Sequence, residues 1–170
     1  MKLKDDQNID KVYLHPAEIC ICEKPTQVVT VLGSCVSVTL FHPVSRMAAI
    51  CHGTLPRCRS GMQCRKPCID AFKYVDCAIY FMLRKFRAAG IKDRDIAVKL
   101  FGGADTLLSK SSNTIGSQNV KAALEVIEAE KLRVIAADVG DAFGRKLIFH
   151  SDTGDVFIKR LKNGMVRERK

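Results

Sequence analysis

In the stretch TVLGSCVSVTLF (residues 30–41) a cysteine, Cys35, follows a Gly-Ser step, and seventeen residues later CHGTLP carries one of the chain's four histidines, His52. A thiol attacks as its thiolate, and at an ordinary pKa only roughly 3% of it is ionised at pH 7, so a nucleophilic cysteine needs a base beside it. A Cys/His couple supports acyl transfer. Sulfur adds to a carbonyl carbon, the imidazolium protonates the leaving amine, and the imidazole then activates the water that hydrolyses the thioester. Gly33 and Ser34 fit the same chemistry: a residue without Cβ lets the backbone approach a substrate, and N–H groups next to the nucleophile can hold an oxyanion. Residue types alone leave a plainer reading open, in which Cys35 and Cys51 are small buried apolar residues and His52 ends a strand.

The elements around these residues decide whether they can meet. Apolar and β-branched residues crowd VVTVLGSCVSVTLF, and after the turn signal HPVSR the run MAAICHGTL follows closely enough to be its hairpin partner. Pairing of the two strands would bring Cys35 and His52 together. PRCRSGMQCRKPCID reads as a loop, and DAFKYVDCAIYFMLRKFRAAG as a helix whose stripe is Phe72, Val75, Ile79, Met82, Leu83 and Phe86, with Gly90 as its stop. IAVKLFGGA is a strand running into a glycine pair. SQNVKAALEVIEAEK is a second amphipathic helix with Ser117 as candidate cap. LRVIAADVG, RKLIFH and DVFIKRL complete the strands, the last two joined by a turn at Gly154. The expected fold is α/β (α+β): layered mixed β-sheets with two helices packed on one side, in a single domain over residues 1–170 with its core at about 13–161 and a basic tail at 162–170.

Composition narrows the classes of function. The chain has 170 residues, 47% of them apolar, and no apolar run long enough to span a bilayer. The N-terminus MKLKDDQNID lacks the pattern of a secretory signal, so a cytoplasmic location with reduced thiols is expected for the eight cysteines. A net charge of +10 suits an acidic protein partner, an anionic membrane surface or a nucleic acid; with 6% aromatics and no Trp, stacking platforms are scarce and no nucleic-acid partner is expected. Cys58, Cys64, Cys68 and Cys77 depart from the short spacings of zinc sites, so no metal is expected. Cys20 and Cys22 alternate along a strand and share a face; packing is their default role, ahead of a redox pair.

The motifs VTVLGSCVSVTLFHP, ICHGTLP, FKYVD, KLFGGAD, IGSQN, DVGDAFGRKLIF and TGDVFIKRL, in this order from about Tyr13 to Leu161, resemble those of the CheD family of chemoreceptor glutamine deamidases. The resemblance implies a cofactor-free cysteine hydrolase with Cys35 as nucleophile and His52 as base, and a threonine shortly before the cysteine, Thr30, as the third member that orients the imidazole. It also implies the cytoplasmic helices of methyl-accepting chemoreceptors as substrate and a CheC-type phosphatase as a second partner. Where relatives often carry glycine, this chain has Ala17 in HPAE and Asp141 in DVGDAFG. A non-catalytic adaptor on the same fold, binding receptors or the phosphatase, is the rival reading.

Overall fold

The computed structural model describes residues 9–59, 70–105 and 113–161. The apolar run around Cys35, expected as one strand, is two: β3 (Thr26–Leu32) and β4 (Val36–Phe41), separated by Gly33, Ser34 and Cys35. The two strands belong to different sheets, so these three residues form the corner at which the chain changes layer. β3 alternates buried and partly exposed residues, as a strand with one wet face does, whereas β4 is buried at five of its six positions because it is covered on both faces.

The four-stranded sheet has the order β1 (Asp10–Tyr13), β3, β8 (Arg145–His150), β9 (Val156–Arg160). The five-stranded sheet has the order β2 (Ile19–Cys22), β5 (Ala48–Cys51), β4, β6 (Ala97–Gly102), β7 (Arg133–Val139). Both sheets are mixed, with β1 parallel to β3 and β6 parallel to β7. α1 (Val75–Ala88) and α2 (Ile115–Ala129) cover one face of the five-stranded sheet, packing on Val36, Val38, Leu40, Val98 and Leu100. The other face meets the four-stranded sheet through Leu14, Cys22, Val28, Ala48, Ile50 and Phe149, and further along through Leu32, Phe101 and Leu147. The layered α+β fold with two helices on one side is the one expected. The tail at 162–170 lies outside the described residues.

Two helix boundaries differ from the sequence reading. Phe72 falls in a 3-10 turn (Ala71–Lys73) before α1, while Val75, Ile79, Met82, Leu83 and Phe86 form the buried stripe as expected. α2 is capped by Thr114, not Ser117: Thr114 has the extended backbone of a cap and its side chain accepts from the Ser117 N–H at 3.2 Å, so Ser117 is already the third helical residue.

The backbone also bears on the two positions at which the resemblance leads to an expectation of glycine. Ala17 (φ 64°) and Asp141 (φ 68°) both occupy the left-handed region where glycine is at ease. A residue with a Cβ is disfavoured there by roughly 1–2 kcal/mol, part of which glycine returns as lost chain entropy. Ala17→Gly is therefore expected to stabilise the protein by about 0.5–1 kcal/mol, seen as a rise of about 1–4 °C in melting temperature; an unchanged or lower value would refute it. Asp141 gains less from the exchange, since its carboxylate accepts from the Ala142 N–H at 2.9 Å and this contact would go.

Candidate active site

The hairpin β4–β5 is antiparallel, with Thr39 opposite Ile50 and the ladder carried past the strand ends by Val36 and Gly53, which exchange both backbone hydrogen bonds at 3.0 and 2.9 Å. Continuing this register sets His52 opposite Ser37. Cys35, two residues along the same strand, is thus diagonal to His52 on one face of the ladder, a spacing of roughly 7–8 Å between Cα atoms that side chains can bridge. That face is the one turned to the four-stranded sheet: Cys35 packs against Leu32, Phe101 and Leu147. Cys35 is partly exposed, whereas His52 is 2% exposed.

Thr30 comes from the opposite sheet, on β3, and is fully buried. Its Oγ1 lies 2.8 Å from the Leu14 carbonyl oxygen and 2.8 Å from His52 Nδ1. A hydroxyl has one proton and a carbonyl only accepts, so Thr30 donates to Leu14 and accepts from the Nδ1–H of His52. The lone pair of the ring then sits on Nε2, the nitrogen free to take a proton. The His52 backbone is held as well, its N–H donating to the Glu18 carbonyl and its own carbonyl accepting from Ala17, both at 2.9 Å.

Burial pushes the Cys35 thiol above its ordinary range, opposed by the backbone N–H of Cys35 itself. Burial also lowers His52 below its ordinary 6.5, against the raising effects of the Leu14 carbonyl and Glu18. Both shifts favour the neutral forms, thiol and imidazole. Since a base must be unprotonated and its pKa is lowered, the acid limb of kcat/KM is expected below pH 6.5; a limb above that value would contradict the geometry. Thr30→Val, which keeps the shape and removes the acceptor of Nδ1–H, is expected to cost about 10²-fold in kcat. Thr30→Ser is expected to stay within about 5-fold of the wild type.

The corner residues show a pattern the sequence did not reveal. The Gly33 carbonyl accepts from the Ala104 N–H at 2.9 Å, the Ser34 carbonyl from Asn119 Nδ2 at 2.9 Å, and the Cys35 carbonyl from the Gly103 N–H at 2.8 Å. Their own N–H groups donate to no other residue among those described. Asn119 also donates to the Thr54 carbonyl at 3.1 Å. It is fully buried on α2, in line with Gly116, Ala122, Ala123 and Val126. A polar side chain on an apolar stripe was the signal that could have found it. A separate groove of about 530 Å³, lined by Gly103, Thr114, Val120, Leu124, Gly140 and Asp141, contains neither Cys35 nor His52.

Of the remaining cysteines, Cys64 and Cys68 lie outside the described residues. Cys58 and Cys77 meet at Asp76, whose Oδ1 accepts both backbone N–H groups, and burial together with the Asp76 charge pushes the Cys77 thiol up to about 12. Cys20 and Cys22 face one side of β2 with sulfurs 3.6 Å apart, and Cys22 packs in the core between the sheets. The hydrogen bond from Cys22 lowers the Cys20 thiol to about 7, partly offset by burial.

Comparison with known proteins decides the family. A model described as CheD chemotactic sensory transduction matches residues 55–160. The chain is 51% identical to the probable chemoreceptor glutamine deamidase CheD 2 of Geobacter sulfurreducens, over 88% of this chain and 89% of that protein. The chain belongs to the CheD family. It is also 40% identical to the probable chemoreceptor glutamine deamidase CheD of Maridesulfovibrio salexigens, over 95% of this chain and 98% of that protein. A third member, from Anaeromyxobacter dehalogenans, is 34% identical over 89% of this chain. CheD membership accounts for the order of motifs along the sequence, and the fold gives those motifs a place: LGSC forms the corner between sheets, CHG ends β5, and IGSQN opens α2.

Proposed function

We propose that the chain is a protein-glutamine deamidase that converts glutamine side chains of chemotaxis receptors to glutamate with release of ammonia. In this reading Cys35 Sγ adds to the carboxamide carbon as its proton passes to His52 Nε2. The imidazolium then protonates the leaving nitrogen, ammonia departs, and a thioester remains. Water, giving its proton to Nε2, hydrolyses the thioester to the glutamate carboxylate and returns the thiol. No redox step or cofactor enters. The observation that carries the reading is the Thr30 hydroxyl held between the Leu14 carbonyl and His52 Nδ1, which leaves Nε2 as the basic nitrogen of a residue set diagonally across the β4–β5 ladder from the partly exposed Cys35.

The names of the relatives support chemoreceptors as the substrate, and the methylation helices of their cytoplasmic parts are the segments we propose. Charge supports an acidic partner. Lys146 on β8 stands directly opposite Lys159 on β9 and both are exposed. Two like charges in this register are unfavourable, and glutamates of a partner offset the repulsion. Association is expected to weaken with added salt; affinity indifferent to ionic strength would remove the electrostatic part of the proposal. No helix among the described residues is long and apolar enough to cross a membrane. A cytoplasmic site of action and inhibition by a CheC-type phosphatase complete the reading.

The test is incubation with a receptor cytoplasmic fragment carrying glutamines in its methylation helices, with peptide mass spectrometry of each glutamine. A gain of the mass of Gln-to-Glu conversion, matched by released ammonia, is the expected result. Binding of the fragment with no conversion would overturn the deamidase and leave an adaptor.

A further inference from the structure

We propose that Asn119 is a positioning residue for catalysis: it fixes the peptide plane between Ser34 and Cys35 so that the Cys35 N–H, together with that of Ser34, is aimed at the oxyanion formed when Cys35 attacks. The proposal rests on the acyl-transfer reading above and deepens it.

Asn119 Nδ2 is placed 2.9 Å from the Ser34 oxygen and 3.1 Å from the Thr54 oxygen. Both are carbonyls, which only accept, so the amide has a single orientation with its NH₂ toward them. In a trans peptide the C=O and the following N–H point in opposite directions. Anchoring the Ser34 carbonyl on Asn119 therefore turns the Cys35 N–H away from α2. Anchoring the Gly33 carbonyl on the Ala104 N–H, at 2.9 Å, fixes the Ser34 N–H in the same manner. Neither N–H donates to another of the described residues, although all three corner carbonyls accept from one. Two adjacent donors left open beside a nucleophile are what a tetrahedral oxyanion needs. A hydrogen bond to a peptide carbonyl also polarises its N–H and strengthens it as a donor.

The second bond of Asn119 reaches the other half of the site. Thr54 is two residues after His52 and lies across the ladder from Cys35, so one amide ties the nucleophile's corner to the segment that follows the base. Asn119 is fully buried, and its Oδ1 is buried without a hydrogen-bond partner among the described residues. An orphan acceptor costs stability. A residue kept at such a cost on an otherwise apolar helix stripe is explained by what its NH₂ holds in place rather than by packing.

The test separates oxyanion stabilisation from thiol reactivity. Three quantities are measured on wild type and Asn119→Ala: kcat and KM for deamidation, affinity for a receptor peptide bearing a side-chain aldehyde in place of the carboxamide, and peptide-resolved alkylation of Cys35 by iodoacetamide across pH. The aldehyde accepts Sγ at carbon and the thiol proton at oxygen, giving a hemithioacetal that uses the same two donors. Alkylation displaces iodide from carbon and forms no oxyanion. Peptide resolution separates Cys35 from the seven other cysteines of the chain.

Asn119→Ala is expected to lower kcat about 10- to 100-fold with KM changed little, and to weaken aldehyde binding by a similar factor. The rate and pH profile of Cys35 alkylation should stay within about twofold. Unchanged kcat, or a parallel fall in all three quantities, would overturn the proposal, since a merely structural role moves them together. Asn119→Asp, which keeps the shape but cannot donate when ionised, gives the same comparison. Should neither variant fold, amide NMR of the wild type decides: the Ser34 and Cys35 N–H resonances must move on aldehyde binding, and stationary resonances overturn the assignment. A wild type that neither deamidates nor takes up the aldehyde, yet alkylates at Cys35, would refute the acyl-transfer reading and not the geometry of Asn119.

Discussion

Cys35→Ala is expected to abolish conversion of receptor glutamine to glutamate, a loss of about 10⁴-fold or more, while the protein stays folded and still binds its receptor. The change removes one partly exposed sulfur at a corner whose backbone is held by three carbonyl hydrogen bonds that need no side chain from residue 35. Cys35→Ser retains the shape but replaces the thiol by a far weaker acid, which a buried imidazole with a lowered pKa deprotonates poorly, so it should be nearly as inactive. His52→Ala removes the base and should cost about 10³-fold, with part of the loss recovered at high pH as the thiol ionises unaided. The measurement is peptide-resolved mass spectrometry of the receptor fragment beside wild type. Conversion retained by Cys35→Ala would end the nucleophilic reading outright. Equal activity of His52→Ala across the pH range would assign the base elsewhere.

The second large effect is expected at a residue that touches no substrate. Gly102, the last residue of β6, has φ 102°, a conformation that side chains rarely adopt, and a Cβ there would lie 2.3 Å from the Cys35 carbonyl oxygen. That oxygen cannot yield without disrupting its bond to the Gly103 N–H at 2.8 Å, and the neighbouring Val36 backbone is 3.2 Å from the same Cβ position. Gly102→Ala should therefore destabilise the protein by about 3–5 kcal/mol and displace the nucleophile's corner. Denaturant titration measures the first effect, and Cys35 alkylation in the fraction that remains folded measures the second. A loss under about 1 kcal/mol would show that the β6 end gives way easily and that the glycine pair is not what sets the corner.

Much of the architecture was legible because it follows from local periodicity. The 3.6-residue stripe from Val75 to Phe86, the apolar runs of β8 and β9 and the turn at Gly154 need only neighbours in sequence, and each became the element expected. The helix starts were less legible. Thr114 and Ser117 are both capping types, and which of them caps depends on where the chain leaves the sheet. The break between β3 and β4 was hidden for a related reason: the apolar pattern runs on through Gly33 to Cys35, and only the existence of two sheets makes that point a corner.

The sequence by itself determined the family through the order of its motifs, the two helices, most of the strands, and the pairing of the Cys35 and His52 segments as a hairpin. Only the tertiary structure decided how those residues are set for chemistry. The Leu14 carbonyl that dictates the tautomer of His52, the Ala104 and Gly103 amides, and the Asn119 amide that holds the corner come from segments 16 to 85 residues away along the chain from the groups they contact. Hydrogen bonds across such separations are set by the packing of two sheets and a helix, which no local pattern encodes.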